Sequence, residues 1–422
     1  MTAAQTDTSS YLNKRTAAIV FLAFAAAYFC SALVRAITAT LSPVLTQEFS
    51  LQARDLGLLA GGYFLGFAAM QLPLGAWLDR HGPKRVILWF LGLSVAGSLA
   101  FSMATSFSGL LTARVVIGMG VSACLMAPLT GYRRWLEPAA QLRANSWMLM
   151  TASLGMLAST LPVQWLMPLT GWRALFWILA GLIVFSMLCI AWVVPTWQAN
   201  SSVSGLAAAT AGSGRPQGRY ADVLRNRYFQ KLTPLAFFNY GGLVAVQTLW
   251  AGPWMVRVAG YTPTESATGL FYINALMLVT FWTWGMVTPW LVRNGWPATR
   301  LVAWGVPLSI AVLAFNIWAG SATGWLGWAL FCMSCSAMGL AQPAVGMAFH
   351  ASLAGRALSA YNLVIFSGVF VVQWGIGLLI DSFRALGWSE VASFQGAMTV
   401  FLCCCIASYG YFLSVSADNS RQ

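Results

Sequence analysis

Twelve apolar stretches, each long enough to cross a lipid bilayer as a helix, follow one another at residues 17–41, 56–78, 86–105, 108–131, 145–168, 173–195, 232–256, 267–291, 300–319, 324–350, 357–380 and 392–414. About 20 consecutive apolar residues span the hydrocarbon core. Inside it every backbone polar group must be satisfied within the protein, which makes helices the answer for such runs. Composition agrees: 59% hydrophobic residues, 8% charged residues and a mean hydropathy of +0.71 lie far from the roughly 25% charged residues of soluble domains. The expected fold class is an all-α polytopic membrane protein of twelve transmembrane helices, with little chain left for a soluble domain.

The net charge of +13 follows from topology. A basic nucleic-acid binder gathers Lys and Arg on one soluble face, whereas here they are scattered between apolar runs, so nucleic acid is not an expected partner. With the N-terminus inside, seventeen of the 23 Lys and Arg residues fall on the cytoplasmic side, only Arg54, Arg173, Arg257 and Arg384 fall outside, and Arg35 and Arg114 lie in or at the edge of the membrane. This bias predicts a multi-pass protein of the inner (plasma) membrane with both termini cytoplasmic. Lys14 and Arg15 precede an apolar run of about 25 residues, too long for the core of a cleaved signal peptide, so the first helix is expected to be retained. All eight cysteines fall in apolar stretches, where Cys packs as a small hydrophobe. The pair Cys332 and Cys335 lacks the second Cys or His pair of a metal site. Neither metal nor cofactor is expected.

Residues 196–231 form the one long connection, and the Ser/Ala/Gly-rich part, ANSSVSGLAAATAGSGRPQG, has the composition of a flexible linker. It separates six spans in residues 1–195 from six in residues 232–422. Its last part, RYADVLRNRYFQK, reads either as a basic amphipathic helix or as a plain solvated face. The halves resemble each other: W-L-D-R-H-G at 77–82 recurs as W-L-V-R-N-G at 290–295, and Pro128 and Pro343 stand near the same offset. Small residues recur in the fourth span (Gly118, Gly120) and the tenth (Ser336, Gly339), as close helix packing requires.

The stretch GAWLDRHGPKR at 75–85 is a charged elbow between the second and third spans. Asp79 is its only carboxylate, among Arg80, Lys84 and Arg85. At the cytoplasmic end of a helix such a carboxylate can latch two helices without deep burial of charge; the plain alternative is that the cations only satisfy the positive-inside bias. Val292 stands in place of Asp79 in the second copy. Gly75, Asp79, Arg80, Gly82, Lys84 and Arg85 are similar to the loop 2-3 signature of the major facilitator superfamily, G-x-x-x-D-R-x-G-x-[RK]-[RK]. Arg114 with Gly118 and Gly120 is similar to that family's fourth-helix pattern R-x-x-x-G-x-G. The resemblance covers all twelve spans. It implies a secondary transporter of two pseudo-symmetric six-helix bundles that rock about a site near the midplane, with these seven residues, Arg114 included, as the gating set.

Arg35 is the candidate for that site. A cation at membrane depth costs several kcal/mol unless it faces a cavity or a partner; the alternative is that it snorkels or pairs structurally. Tyr28, Ser31, Arg35, Thr38 and Ser42 follow spacings of three and four and so share one helical face. The repeat offset carries Arg35 to Thr248, beside Gln247. Tyr240, Gln247, Trp250 and Trp254 share a face of the seventh span, while Asn274, Gln342 and Asn362 add neutral hydrogen-bonding groups. All ten Asp and Glu residues lie at span ends, loops or tails, so a lone buried Arg points to an anionic or zwitterionic solute whose carboxylate matches the guanidinium fork.

The expected function is secondary active transport of a small organic anion or zwitterion. Import is favoured because SLGMLASTLPVQW in the fifth span lacks the G-P-x-x-G-G signature that resembles drug antiporters; an exporter of metabolites or drugs is the alternative. A non-transporting sensor on the same fold is a reading from another class. An enzyme is not expected, since no span carries a nucleophile beside a base. The expected partners are the solute, a coupling proton or other ion, and the bilayer, around a monomeric chain.

Overall fold

A computed structural model describes residues 11–196 and 220–415. The linker stretch at 199–218, with Arg215, and also Arg219 and Arg421, lie outside the described residues. Every element among the described residues is helical.

The first span is Lys14–Phe49. The second runs through Ala53–Ala69, is broken at Met70, resumes at Gln71 and ends at Gly82, where a φ of 76° turns the chain into the third, which ends at Met103. The fourth is split at Ser122 into Phe107–Val121 and Ala123–Trp135. The fifth covers Pro138–Ala158, resumes at Leu161 and stops at Gly171 (φ 73°), where the sixth departs for Val193. The seventh begins at Arg227 and reaches Arg257 through two π-helical turns, Ala236–Tyr240 and Val246–Trp250. Then follow Pro263–Arg293, Ala298–Ala319, the tenth span from Trp325 to Ala348, Ala351–Ala385 and Glu390–Ser414. Among the described residues nine helical stretches, the two pieces of the fourth span taken together, meet the length and hydropathy needed to cross a membrane. The second, fifth and seventh spans are the other three, and the fold is the expected pair of six-helix bundles.

The duplication is visible in the backbone. Gly82 and Gly295, at matching places in the two echoes, both adopt positive φ (76° and 80°), a conformation that favours glycine. Gly171 and Gly387 do the same at 73° and 85°, each followed by a Trp. The fourth span breaks at Ser122, and the tenth tightens into a 3₁₀ turn at Ser336–Leu340, each just ahead of the matching prolines. Residues 220–235 form two short helices that bury Val223, Phe229 and Leu232, and Lys231 lies over the Phe412 ring at 4.7 Å. That stretch is a packed amphipathic element, not a solvated face.

Packing inside the bundles follows small residues. A Cβ on Gly118 would lie 1.9 Å from the Tyr63 carbonyl oxygen, so the fourth span can meet the second at this distance only without a side chain. On the outside, Trp192 is 95% exposed and Leu169 81%, exposure that suits lipid and would burden a soluble monomer.

We call the face that holds Lys14, the Gly82 turn and Ser414 the terminal face, and the opposite one the distal face. The bundles are shut against each other over their distal halves. A Cβ on Gly57 would lie 2.4 Å from the Gln373 carbonyl oxygen, and one on Gly377 2.4 Å from that of Ala53, so the second and eleventh spans touch backbone to backbone. Phe67 and Phe366 close the lower end of this seam, with ring centroids 4.4 Å apart. At the upper end the Asp381 carboxylate accepts the N–H groups of Ala53 (3.2 Å) and Arg54 (2.8 Å). These are orphan donors at the start of a helix, where negative charge is favoured.

Candidate functional site

Arg35 sits in the first span where that helix faces the opposite bundle. Its side chain is part-exposed, although its Nε is enclosed and makes no hydrogen bond among the described residues. Tyr28, Tyr63 and Tyr240 all lie within electrostatic reach of its guanidinium. Tyr28 is two turns below on the same helix face, Tyr63 comes from the second span, and Tyr240 crosses from the other bundle. The π-helical turn Ala236–Tyr240 carries Tyr240 there, and such bulges commonly mark functional sites.

Arg114 does not join the elbow with which the motif groups it. It is 1% exposed at mid-depth of the first bundle. There it donates to the Val34 carbonyl (2.9 Å), the Arg35 carbonyl (3.3 Å) and the Thr38 hydroxyl, and its Cζ lies 5.2 Å from the centre of the Tyr63 ring. Three hydrogen bonds from a buried charged donor, each worth about 1.5–3 kcal/mol, fix the turn of helix from which Arg35 projects. Thr38 is therefore engaged by Arg114. Ser31, 3% exposed, offers its carbonyl to the Tyr63 hydroxyl at 3.3 Å. The polar face of the first span thus divides: Tyr28 and Arg35 front the interface between bundles, while Ser31 and Thr38 bind the neighbouring spans of their own bundle.

The polar groups of the second bundle form two separate pairs. Gln342 donates to Asn362 at 2.7 Å, joining the tenth and eleventh spans; Gln342 is part-exposed, and a Cβ on the nearby Gly339 would lie 3.7 Å from the Tyr240 ring. Tyr240 itself faces Arg35 across the interface. Gln247 donates to Asn274 at 3.0 Å in a buried contact. Trp250 is fully buried and donates to the Gln373 carbonyl at 3.0 Å. Gln247 and Trp250 lie further toward the distal face, and Trp250 lines a separate distal cavity of about 510 Å³ with Thr46, Gln52, Arg257, Arg384 and Glu390.

Gly75, Arg80, Gly82, Lys84 and Arg85 cluster at the terminal end of the second and third spans. Asp79 is exposed and forms no ion pair among the described residues; the cation whose charge acts on it is Arg133, at the terminal end of the fourth span.

Three participants escape the sequence reading. Gln373, fully buried, donates to the Thr248 hydroxyl at 3.0 Å; as an amide in mid-span it carried the same signal as Gln342 and Asn362. Tyr63 sits in the small-residue run GGYFLG and has no polar neighbour in sequence. Asp381 lies at a span end, where a carboxylate passes for an ordinary surface charge.

The family profile described as Major Facilitator Superfamily matches residues 24–373. The chain is 30% identical to the Inner membrane transport protein YajR of Escherichia coli (strain K12), over 59% of this chain and 52% of that protein. It is 25% identical to the Probable L-galactonate transporter of the same organism, over 67% of this chain and 63% of that protein. The matched region thus spans between about half and two thirds of the length of these curated relatives. The fold is similar to that of a bacterial homolog to the human lysosomal transporter Spinster in an inward-facing and unoccupied conformation, with a TM-score of 0.76, 16% identity and coverage of 95% of this chain and 97% of that one. Both bundles, the elbow signature and the profile lead to one assignment: the chain belongs to the Major Facilitator Superfamily.

Proposed function

We propose that the protein is a secondary transporter that carries a small organic anion across the bacterial inner membrane by alternating access, in the direction of import, with Arg35 as the counter-charge for the solute. The observation that carries this reading is the seat of Arg35: a cation at the interface of the bundles, with its Nε unpartnered and three tyrosines around it. A carboxylate docked on the guanidinium would offset the cost of keeping that charge at membrane depth. The relative whose name assigns it L-galactonate, a hydroxylated carboxylate, supports the same solute class, and the tyrosine hydroxyls with the Gln342–Asn362 pair suit hydroxyl groups on the solute.

In this reading the terminal face is cytoplasmic, as the distribution of Lys and Arg suggests, and residues 1–195 and 232–422 rock as units about the linker. The described conformation is then the one open to the cytoplasm. Asp79 and its neighbouring cations form the latch of the opposite conformation, which explains why Asp79 stands unpaired here.

The test is flux into proteoliposomes of labelled L-galactonate, a sulfonate, a zwitterionic amino acid, a neutral sugar and an amine. Flux of one or both acids, lost in Arg35→Ala protein that still inserts, is the expected result. Flux of the amine or the neutral sugar that survives Arg35→Ala overturns the reading.

A further inference from the structure

We infer that the protein is an anion exchanger, its loaded form crossing between the two conformations far faster than its empty form. This rests on the organic-anion reading above and adds the mode of coupling.

Arg35 and Arg114 place two cations on the first and fourth spans. Arg114 is held at 1% exposure by carbonyls, a hydroxyl and a ring face, and none of these carries a negative charge. Both guanidinium groups keep a buried Nε without a partner. The groups that face Arg35 are Tyr28 on its own helix, Tyr63 from the second span and Tyr240 from the other bundle. Among the described residues no carboxylate reaches the interior of a span. Glu48, Asp55, Glu265, Asp381 and Glu390 lie near distal helix ends, and Asp79, Glu137 and Asp222 near terminal ones. The two other acids of the sequence, Asp7 and Asp418, precede the first span and follow the last.

To change face, the bundles must close over Arg35 from the terminal side while the distal seam has not yet opened. In that occluded intermediate water is shed, and a cation without a counter-charge bears the full cost of desolvation. Two kinds of group can relieve it. A carboxylate of the protein would let the empty carrier return and, by taking up and giving off a proton, would couple it to a proton gradient. The other kind is the solute itself. This chain provides only the second. The loaded carrier therefore occludes readily and the empty one does not, so that an anion leaving on one side must be replaced by an anion before the carrier returns. Exchange of equally charged anions moves no net charge, and no coupling proton has a seat beside Arg35.

The experiment compares two modes in the same proteoliposomes, using labelled L-galactonate and a labelled sulfonate outside. The lumen holds either the same acid unlabelled or buffer alone. Uptake into acid-loaded vesicles is expected to exceed uptake into empty ones by about a hundredfold, equal to about 2.7 kcal/mol between the two barriers at 1.36 kcal/mol per tenfold. An inward proton gradient is expected to leave both rates unchanged. Tyr28→Glu, which supplies a carboxylate on the interface face of the first span within electrostatic reach of Arg35, is expected to lower the ratio at least tenfold; a detergent unfolding midpoint confirms that the variant is folded, and the wild-type ratio stands as a test without it. Equal rates in loaded and empty vesicles, or accumulation driven by the proton gradient, overturn the exchanger and leave the organic-anion reading intact. Absence of acid flux in both modes, with flux of the amine or neutral sugar, overturns the organic-anion reading and the exchanger with it.

Discussion

Replacing Asp381 by Ala removes a carboxylate that ties the two bundles across the distal seam. Its oxygens accept two backbone N–H groups, at 3.2 and 2.8 Å, from the first turn of the helix Ala53–Ala69. Hydrogen bonds to a charged group are worth about 1.5–3 kcal/mol each when buried, and a charge at a helix N-terminus about 0.3–1 kcal/mol. Asp381 is part-exposed, so solvent screening reduces the sum, and about 2 kcal/mol for the whole contact is the working figure. At 1.36 kcal/mol per tenfold this amounts to about a thirtyfold shift of the population away from the distal-closed conformation. Asp381→Asn keeps an acceptor oxygen and loses the charge, and half the effect, about fivefold, is expected by the same conversion. The assay is the distance distribution between spin labels at positions 50 and 386, on the distal loops of the two bundles, in protein whose eight cysteines have been replaced. A longer-distance population that grows from wild type to Asn to Ala is expected. An unchanged distribution in Asp381→Ala refutes the reasoning, because it would mean that the glycine seam alone keeps the face shut.

Three other substitutions probe separate parts of the architecture. Arg114→Lys cannot reproduce the contacts to the Val34 and Arg35 carbonyls and Thr38; flux per folded molecule is expected to fall at least tenfold while surface abundance changes little. Gly118→Val would drive a side chain into the Tyr63 carbonyl, 1.9 Å from the new Cβ, an overpacking penalty of about 1–3 kcal/mol or more. Little monodisperse protein is expected from it by size exclusion in detergent, whereas Gly75→Ala, with nothing within 4 Å of the new Cβ, is expected to behave as wild type in the same measurement. Asp79→Asn is expected to leave abundance unchanged, since Asp79 makes no ion pair among the described residues, and to reduce flux if Asp79 forms the proposed latch; flux equal to wild type would remove Asp79 from the gate.

What was legible in the sequence was whatever physics forces locally. A run of 20 or more apolar residues has one structural outcome in a bilayer, so the spans were readable. The Gly82 turn was readable because its charged neighbours mark the edge of the membrane, and the positive φ of 76° demands glycine there. Arg35 stood out because burying a cation is costly enough to need a reason. What escaped depends on partners far away in the chain. Asp381 finds Ala53 and Arg54 across 328 and 327 residues, and nothing within its own span distinguishes it from a surface acid. Arg114 was grouped with the elbow by motif, yet its donors point at the first span, a contact that only packing of the fourth span through Gly118 creates. The π-helical turns of the seventh span, which aim Tyr240 at Arg35, leave no trace in the apolar periodicity.

In the proposed transport cycle Arg35 is the counter-charge of the solute. Flux of labelled L-galactonate and of the labelled sulfonate in wild-type and Arg35→Gln proteoliposomes, normalised to folded protein, tests it most directly. The prediction is flux of at least one acid in wild type and its loss in Arg35→Gln, whose unfolding midpoint stays at or above that of wild type because a cation without a counter-charge at membrane depth has been removed. Acid flux that persists undiminished in Arg35→Gln contradicts the account.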